Sequence, residues 1–461
     1  MANLVETTLA ASAAEDAAAP VQPAVVDRGS FLKAGAATAA AAALSPLLGG
    51  AAAQAAAPSV RVADKVQLSY WTGWTGYEFD ELQKLIDKFN AAHPAINVKM
   101  TTVAGQYEKV LTAIAAGNPP DVVSAVWEHQ LASIADRGGL LPLDAYAKNA
   151  GYKAEDFAPA IWRMAHYKGK LWGLATTFDS QFIIYRKDIF RKVGLDPAKP
   201  PQTLAELTHA IDVTTAVDKK GNLTRLGYDP GDLYWWGLVF GGSFYDEKNH
   251  KVTANDPKIV AALDWMGQLA KKVNYNKVSS FSSGFGQYLS PDNAFFVGKL
   301  AMDTVGEWFV AIAKRYAPNL DYGCFPAPPP PGGRTNTTNF DGSIFTIPAG
   351  VKHPDASWEF IKYICSPATS YAFCKAINNV SPFPAVSSKP EFSKNECFRL
   401  GIKLLNGPNS FGPVQMPVFS QYIDELTKAV SFVKHGQKSA KQALDDVTKT
   451  VQHQLDLQMR R

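Results

Sequence analysis

The chain has 461 residues, of which 46% are hydrophobic and 19% charged, and its formal net charge is +4. This length exceeds what one hydrophobic core organises, so we expect a soluble protein of two or three domains. The sequence contains no block of Lys and Arg interleaved with aromatic residues, which argues against nucleic acid as a partner.

Residues 1–57 differ in composition from the rest and read as an export signal with its leader. Residues 31–33 precede an Ala-rich run that ends at Leu48, and several A-x-A sites follow, which predicts cleavage between Ala53 and Pro58. Residues 28–33 are similar to a twin-arginine signal in which Gly29 replaces the second arginine. We therefore expect an exported, periplasmic protein, and both the Sec route and a degenerate twin-arginine route stay open.

Helix and strand patterns alternate from residue 66 onward. We predict strands at 66–71, 96–103 and 121–125, and helices at 79–92 and 107–116. This alternation predicts α/β lobes with mainly parallel sheets. Ligands bind such sheets beyond the carboxyl ends of the strands, where the loops converge.

The segment 169–203 suits a chain that leaves one lobe and founds a second. It contains a short strand, a polar crossing at 176–180, an apolar strand at 182–185, and a helix that starts near Lys187 and ends before Gly194. Thr203, followed by Glu206, predicts a capping box at the start of the next helix. Further on, residues 424–457 predict two surface helices divided at 435–436.

The sequence lacks the motifs of common catalytic and metal sites. We find no G-x-S-x-G, H-E-x-x-H or Walker A motif, and the four cysteines, Cys324, Cys365, Cys374 and Cys397, have no metal-ligand spacing. We predict no catalytic residues, no cofactor and no metal. Free buried thiols and disulfides both remain open for the cysteines.

Six segments together resemble one family. They are 169–203, 107–122 (with GNPPDV), 138–143, 293–308 (with GKLAM), 341–366 and 422–444. Taken in chain order, behind an export signal, they resemble the family 1 extracellular solute-binding proteins, the maltose-binding-protein-like components of ABC sugar importers.

The resemblance implies a two-lobed α/β periplasmic-binding-protein fold of type II with three hinge crossings. On this chain the crossings fall near 176–180, 339–346 and 399–407. The implied division is lobe 1 at 58–178 plus 345–400, and lobe 2 at 179–340 plus 401–461. Trp358 lies on an apolar helix face and is expected in the core.

A sugar presents flat C–H faces and a rim of hydroxyl groups, which suit aromatic rings and carboxylate or amide groups. By resemblance, ligand contacts fall in four loops, at 71–78, 127–129, 178–179 and 306–308, and in the segment 234–236. The expected ligand-binding residues are Trp74, Tyr77, Trp127, Glu128, Asp179, Trp235, Glu307, Trp308 and Asp341.

Other roles stay open for several of these residues. Glu128 and Asp179 suit helix-cap or hinge hydrogen bonds as well as ligand contacts. Asp341 suits either the ligand or the turn of the second crossing. At most one of Trp235 and Trp236 is expected to face the cleft.

These expectations imply a monomeric binding protein that captures a neutral sugar, oligosaccharide or polyol and delivers it to the transmembrane subunits of an ABC permease. The alternatives are a glycerol-phosphate binder and a secreted carbohydrate-active enzyme. The four loops contain no Arg or Lys, which favours an uncharged ligand over a phosphate.

Overall fold

A computed structural model describes residues 65–124, 128–286 and 288–460, apart from the side chains of Glu128 and His129. The predicted export signal lies outside these residues. The helices are α1 (Gly76–Ala92), α2 (Tyr107–Ala115), α3 (Glu128–Asp136), α4 (Asp144–Asn149), α5 (Pro159–Met164), α6 (Lys187–Lys192), α7 (Leu204–Thr214), α8 (Leu233–Val239), α9 (Pro257–Val273), α10 (Tyr275–Ser282), α11 (Phe309–Tyr316), α12 (Pro354–Ile364), α13 (Pro367–Ile377), α14 (Pro384–Ser387), α15 (Glu396–Leu405), α16 (Phe419–Lys434) and α17 (Ala440–Met459).

The strands are β1 (Val66–Thr72), β2 (Ile96–Thr102), β3 (Val122–Val123), β4 (His166–Tyr167), β5 (Lys170–Leu171), β6 (Leu174–Asp179), β7 (Phe182–Arg186), β8 (Ala216–Val217), β9 (Leu223–Arg225), β10 (Tyr245–Asp246), β11 (Lys251–Val252), β12 (Met302–Val305), β13 (Tyr322–Phe325), β14 (Thr338–Asn339), β15 (Asp341–Phe345) and β16 (Ser410–Phe411). Within the described ranges, none of the helices has the length and apolar composition needed to cross a membrane.

The first sheet is parallel, as the sequence predicts. Its order is β2-β1-β3, and β1 pairs with β2 from Val66↔Ile96 to Thr72↔Thr102. Helix α1 begins at Gly76, three residues before the predicted start, because Tyr77 and Glu78 are themselves buried in its first turn.

The second sheet corrects the expectation of mainly parallel sheets. Its order is β12-β7-β13, and β7 runs antiparallel to both neighbours. The two outer strands, β12 and β13, are connected through α11 and therefore run in the same direction, and β7 lies between them. Helix–strand alternation predicts such a crossover but cannot reveal a strand inserted into it.

Two large hydrophobic clusters divide the described residues into two lobes. The first cluster, whose surroundings we call lobe 1, draws most of its residues from 68–178 and 340–405. The second cluster, the centre of lobe 2, draws on 183–302, 325–327 and 416–455. Helices α16 and α17 belong to lobe 2 and confirm the predicted helix pair.

The predicted crossings lie where the clusters meet. Strands β6 and β15 pair antiparallel from Asp341↔Asp179 to Phe345↔Leu174, so the first two crossings run side by side. Helix α15 covers the third: its Phe398 and Leu405 pack in the lobe 1 cluster, whereas Cys397 and Leu404 pack in a third, smaller cluster with β7. This arrangement leaves the lobes connected by short, neighbouring segments.

The capping box and the helix end predicted near the first crossing are confirmed. The Thr203 hydroxyl accepts a hydrogen bond from the Glu206 amide, and the Glu206 carboxylate accepts one from the Thr203 amide. Helix α6 starts at Lys187, and Gly194 has the positive φ of 83° that lets the chain turn after the helix. Trp358 is buried in lobe 1, as expected.

The cysteines fall into one disulfide and two thiols. Cys324 on β13 pairs with Cys397 on α15, and Cys365 and Cys374 are free and buried. The bond attaches α15 to the sheet of lobe 2.

Candidate functional site

The lobe 1 side of the candidate site is the turn that joins β1 to α1. The Thr72 hydroxyl accepts a hydrogen bond from the Trp74 amide at 3.3 Å, which fixes the turn at the carboxyl end of the parallel sheet. The Trp74 ring is half-buried and meets Phe373 edge-on, with ring centroids 5.4 Å apart. Tyr77 follows and is buried, and its hydroxyl has no hydrogen-bond partner among the described residues.

The lobe 2 side is the turn that joins β12 to α11. Trp308 precedes α11 and is half-buried, and its ring packs against both the lobe 1 cluster and the third cluster. The Tyr288 ring meets Trp308 at a centroid distance of 5.7 Å in a T-shaped geometry. A Cβ on Gly306 would lie 2.4 Å from the Trp308 Nε1 atom, so this position needs glycine.

These two turns face each other across the boundary between the lobes. The Tyr288 hydroxyl donates to Glu78 Oε2 at 3.4 Å. The Arg315 guanidinium of α11 lies over the Tyr77 ring, 5.1 Å from its centroid. The structure therefore brings Trp74, Tyr77 and Trp308, all predicted site residues, into one region.

Glu78 and Tyr288 are the residues of this region that sequence reasoning missed. Glu78 stands in the predicted loop at 71–78 but is not among the expected contacts. Tyr288 lies in a stretch without regular periodicity, so no sequence pattern connects it to Trp308. Burial raises the pKa of Glu78 to about 8, and the hydrogen bond from Tyr288 offsets part of this shift.

Glu307 has a different position from the one expected of a ligand contact. Its side chain is fully buried, and its Oε2 atom accepts hydrogen bonds from the Ser180 amide at 3.0 Å and the Ser180 hydroxyl at 2.8 Å. A Cβ on Gly401 of α15 would lie 2.9 Å from the same oxygen. Glu307 thus joins the first and third crossings, and burial raises its pKa to about 7.

Trp235 is placed in the core of lobe 2. It is fully buried, and its indole N–H donates to the Thr337 carbonyl at 3.2 Å. Trp236 is also fully buried and packs against Trp265 with ring centroids 4.6 Å apart. Both rings therefore have packing partners within lobe 2.

Asp179 and Asp341 lie opposite each other where β6 and β15 cross between the lobes. Asp179 is half-buried and Asp341 is buried, and the Asp341 Oδ1 atom accepts a hydrogen bond from the Gly342 amide at 2.6 Å. Both carboxylates therefore belong to the hinge strands. Trp127 and the side chain of Glu128 lie outside the described residues.

A further acid lies on the strand that leads to Trp308. Asp303 on β12 is half-buried, and burial raises its pKa to about 7. The neighbouring Thr304 hydroxyl bonds the Tyr228 hydroxyl at 2.5 Å. Sequence reasoning missed Asp303 because it stands inside a strand rather than in a loop.

Comparisons with known proteins agree with this geometry. Residues 73–370 match the family described as bacterial extracellular solute-binding protein. The structure is similar to that of CpMnBP1 with mannobiose bound, with a TM-score of 0.79 and 27% identity, covering 84% of this chain and 100% of that one.

Two curated relatives are also similar in sequence. An ABC transporter extracellular-binding protein of Pyrococcus horikoshii is 23% identical over 406 residues, which cover 83% of this chain and 82% of the relative. The sn-glycerol-3-phosphate-binding periplasmic protein UgpB of Escherichia coli strain K12 is 28% identical over 277 residues, 56% of this chain and 59% of its own length. These similar proteins are binding proteins rather than enzymes.

Proposed function

Since the chain belongs to the bacterial extracellular solute-binding proteins, we propose that it is the substrate-binding component of an ABC importer. It captures a neutral sugar, oligosaccharide or polyol between the lobes and delivers it, chemically unchanged, to the permease. The observation that carries this proposal is that the turn of Trp74, Tyr77 and Glu78 contacts the region of Tyr288 and Trp308, through the Tyr288–Glu78 hydrogen bond and the Arg315 guanidinium over the Tyr77 ring.

Aromatic rings from both lobes suit the apolar faces of a sugar, and the neighbouring hydroxyl and carboxyl groups suit its rim. The proposed ligand contacts are Trp74, Tyr77 and Trp308, with Trp127, Glu128, Asp179 and Asp341 kept as expected partners. The mannobiose-bound relative supports a saccharide as the ligand. A ligand held by both lobes favours the closed state, because only that state supplies both sets of contacts.

The remaining details of the function are proposed on the same basis. The lobes span 58–178 plus 345–400 and 179–340 plus 401–461, and the protein is an exported, periplasmic monomer without catalytic activity. Micromolar affinity, about −8 kcal/mol, would be adequate for capture and still allow release to the permease.

Similarity to UgpB favours glycerol phosphate as the second candidate. A phosphate needs Arg, Lys or clustered backbone donors. The described turn of Tyr77 instead carries the buried Glu78, and Arg315 lies exposed over the Tyr77 ring at the edge of this region. A single exposed guanidinium does not supply such a cluster of donors.

A ligand screen tests the proposal. Thermal unfolding is followed with mannobiose, maltose, monosaccharides, trisaccharides, polyols and glycerol 3-phosphate, and each mixture is then analysed by chromatography. We expect at least one neutral compound to raise the melting temperature and to be recovered intact, since ligand at 100 times its Kd stabilises by about 2.7 kcal/mol. Stabilisation by glycerol 3-phosphate alone, or conversion of a saccharide, would contradict it.

A further inference from the structure

The first turn of α1, in lobe 1, is covered by the 288–289 segment, which the proposed division assigns to lobe 2. Glu78 is only 3% exposed, and its hydrogen-bond partner is the hydroxyl of Tyr288. A Cβ on Gly76 would lie 3.2 Å from Leu289 Cδ1, so the 288–289 segment lies directly on this turn. Separating the lobes would remove this cover and admit water to the Glu78 carboxyl group.

The surroundings of Glu78 give it no compensating charge among the described residues. Tyr77 and Tyr288 are its titratable neighbours, and the Arg315 guanidinium is exposed over the Tyr77 ring. The helices and strand packed against α1 carry other charged side chains, but those have their own partners or are exposed: Lys375 over Tyr371, Lys362 with Glu359, Asp355 with Tyr146, and Lys99.

A carboxyl group in this position favours its neutral form. The charged form loses hydration on burial and gains only one long hydrogen bond, at 3.4 Å, in return. As a neutral acid, Glu78 still accepts a hydrogen bond from Tyr288 and so continues to bridge the lobes.

We propose that Glu78 is a positioning residue of the clamp, which meets Tyr288 as a neutral acid, so that lobe closure is coupled to the uptake of one proton. This inference rests on the proposed function, because it is ligand affinity that the coupling would control. It also applies to the closing motion of the protein without ligand.

The direction of the pH effect follows from linkage. The pKa of Glu78 is about 8 in the structure, against the ordinary value of 4.5 for an exposed glutamate. The closed state therefore binds the proton more tightly than an open state with an exposed Glu78. Closure is most favourable below pH 4.5 and loses free energy as the pH rises to about 8.

The test compares Glu78→Gln with the wild type. Glutamine keeps the shape of the neutral acid and does not titrate. The matched control is Glu81→Gln, which removes the same charge one turn along α1, where Glu81 pairs with Lys84 in a solvent-accessible position. Kd for mannobiose, or for the best neutral compound of the screen, is measured from pH 5 to pH 9.

We expect the ratio of wild-type Kd to Glu78→Gln Kd to be smallest at pH 5 and to rise by about tenfold or more by pH 9. Calorimetry at pH 7 in buffers of different ionisation enthalpy measures the number of protons taken up on binding. This number should be larger for the wild type than for Glu78→Gln by at most about one. The Glu81→Gln protein should follow the wild type. A ratio that stays constant over this pH range would overturn the inference.

A measurement without ligand separates this inference from the proposed function. Small-angle scattering of the wild type should give a larger radius of gyration at pH 9 than at pH 6, whereas Glu78→Gln should change less. If no compound binds, the proposed function fails and the scattering alone decides the coupling. Identical responses of the two proteins to pH would then overturn it.

Discussion

Three carboxyl groups near the lobe boundary differ in what they contact, although their residue types are alike. Glu307 accepts two hydrogen bonds from Ser180 within the hinge, Glu78 has one from Tyr288 across the boundary, and Asp303 accepts one from the neighbouring Thr304 amide. Loop position alone predicts an acid at the site. It does not predict which of these acids bonds within the hinge and which bonds across the boundary.

Glu307 is expected to stabilise the hinge rather than to bind the ligand. Glu307→Ala should lower the free energy of unfolding by about 1–3 kcal/mol, because the buried Ser180 amide and hydroxyl lose their acceptor. Urea unfolding measures this change, and Ser180→Ala is the matched variant that removes one of the two hydrogen bonds. Unchanged stability in Glu307→Ala, together with lost sugar affinity, would instead favour a ligand contact.

The pH dependence of Glu307 has a defined sign. Its pKa is about 7 in the folded protein, against 4.5 ordinarily, so the folded state binds the proton more tightly than the unfolded state. Its contribution to stability is therefore present at low pH and is lost as the pH rises from 4.5 to about 7. Relative to Glu307→Gln, the wild type should lose roughly 1–3 kcal/mol between pH 5 and pH 8 in urea unfolding.

Truncation of Trp308 should change ligand affinity, whereas truncation of Trp235 should change stability. Trp308→Ala should raise Kd about tenfold or more, because the ring is a proposed sugar platform at the lobe boundary. Trp235→Ala should lower the free energy of unfolding by about 3–5 kcal/mol, because it leaves a cavity in lobe 2. Calorimetric titration and urea unfolding of both variants would show the contrast, and the reverse pattern would contradict the assignment.

At the scale of elements, sequence features predicted where the helices begin and end better than they predicted how the strands pair. The capping box at Thr203, the helix end before Gly194 and the pair of C-terminal helices each depend on residues close in sequence. The antiparallel position of β7 and the pairing of β6 with β15 depend on partners more than 100 residues away. A single sequence contains no comparable signal for such pairings.

The disulfide is another long-range pairing that the sequence alone does not predict, since free thiols and disulfides both stayed open for the four cysteines. Cys324 and Cys397 are 73 residues apart and attach α15 to β13, and so to lobe 2. Reduction should lower the free energy of unfolding by about 2–4 kcal/mol, because it releases a long loop in the unfolded chain. A variant with both residues changed to serine should be equally destabilised and insensitive to reductant; a reductant effect in that variant would contradict this assignment.

At the scale of the whole molecule, the lobes are linked by two adjacent strands and by helix α15, which packs on both sides. In the same structure Tyr288 bonds Glu78, and Arg315 lies over the Tyr77 ring. Family resemblance predicted the two-lobed fold and three of the residues that meet at the boundary, Trp74, Tyr77 and Trp308. It did not predict Tyr288, because that residue lies in a stretch without regular periodicity.

The central claim is that this chain closes around an uncharged, hydroxyl-rich compound. Small-angle scattering of the mature protein, with and without a neutral compound that stabilises it, tests this claim most directly. We predict that the ligand reduces the radius of gyration, and that Trp308→Ala needs a higher ligand concentration for the same change. An unchanged radius of gyration at saturating ligand would contradict the account.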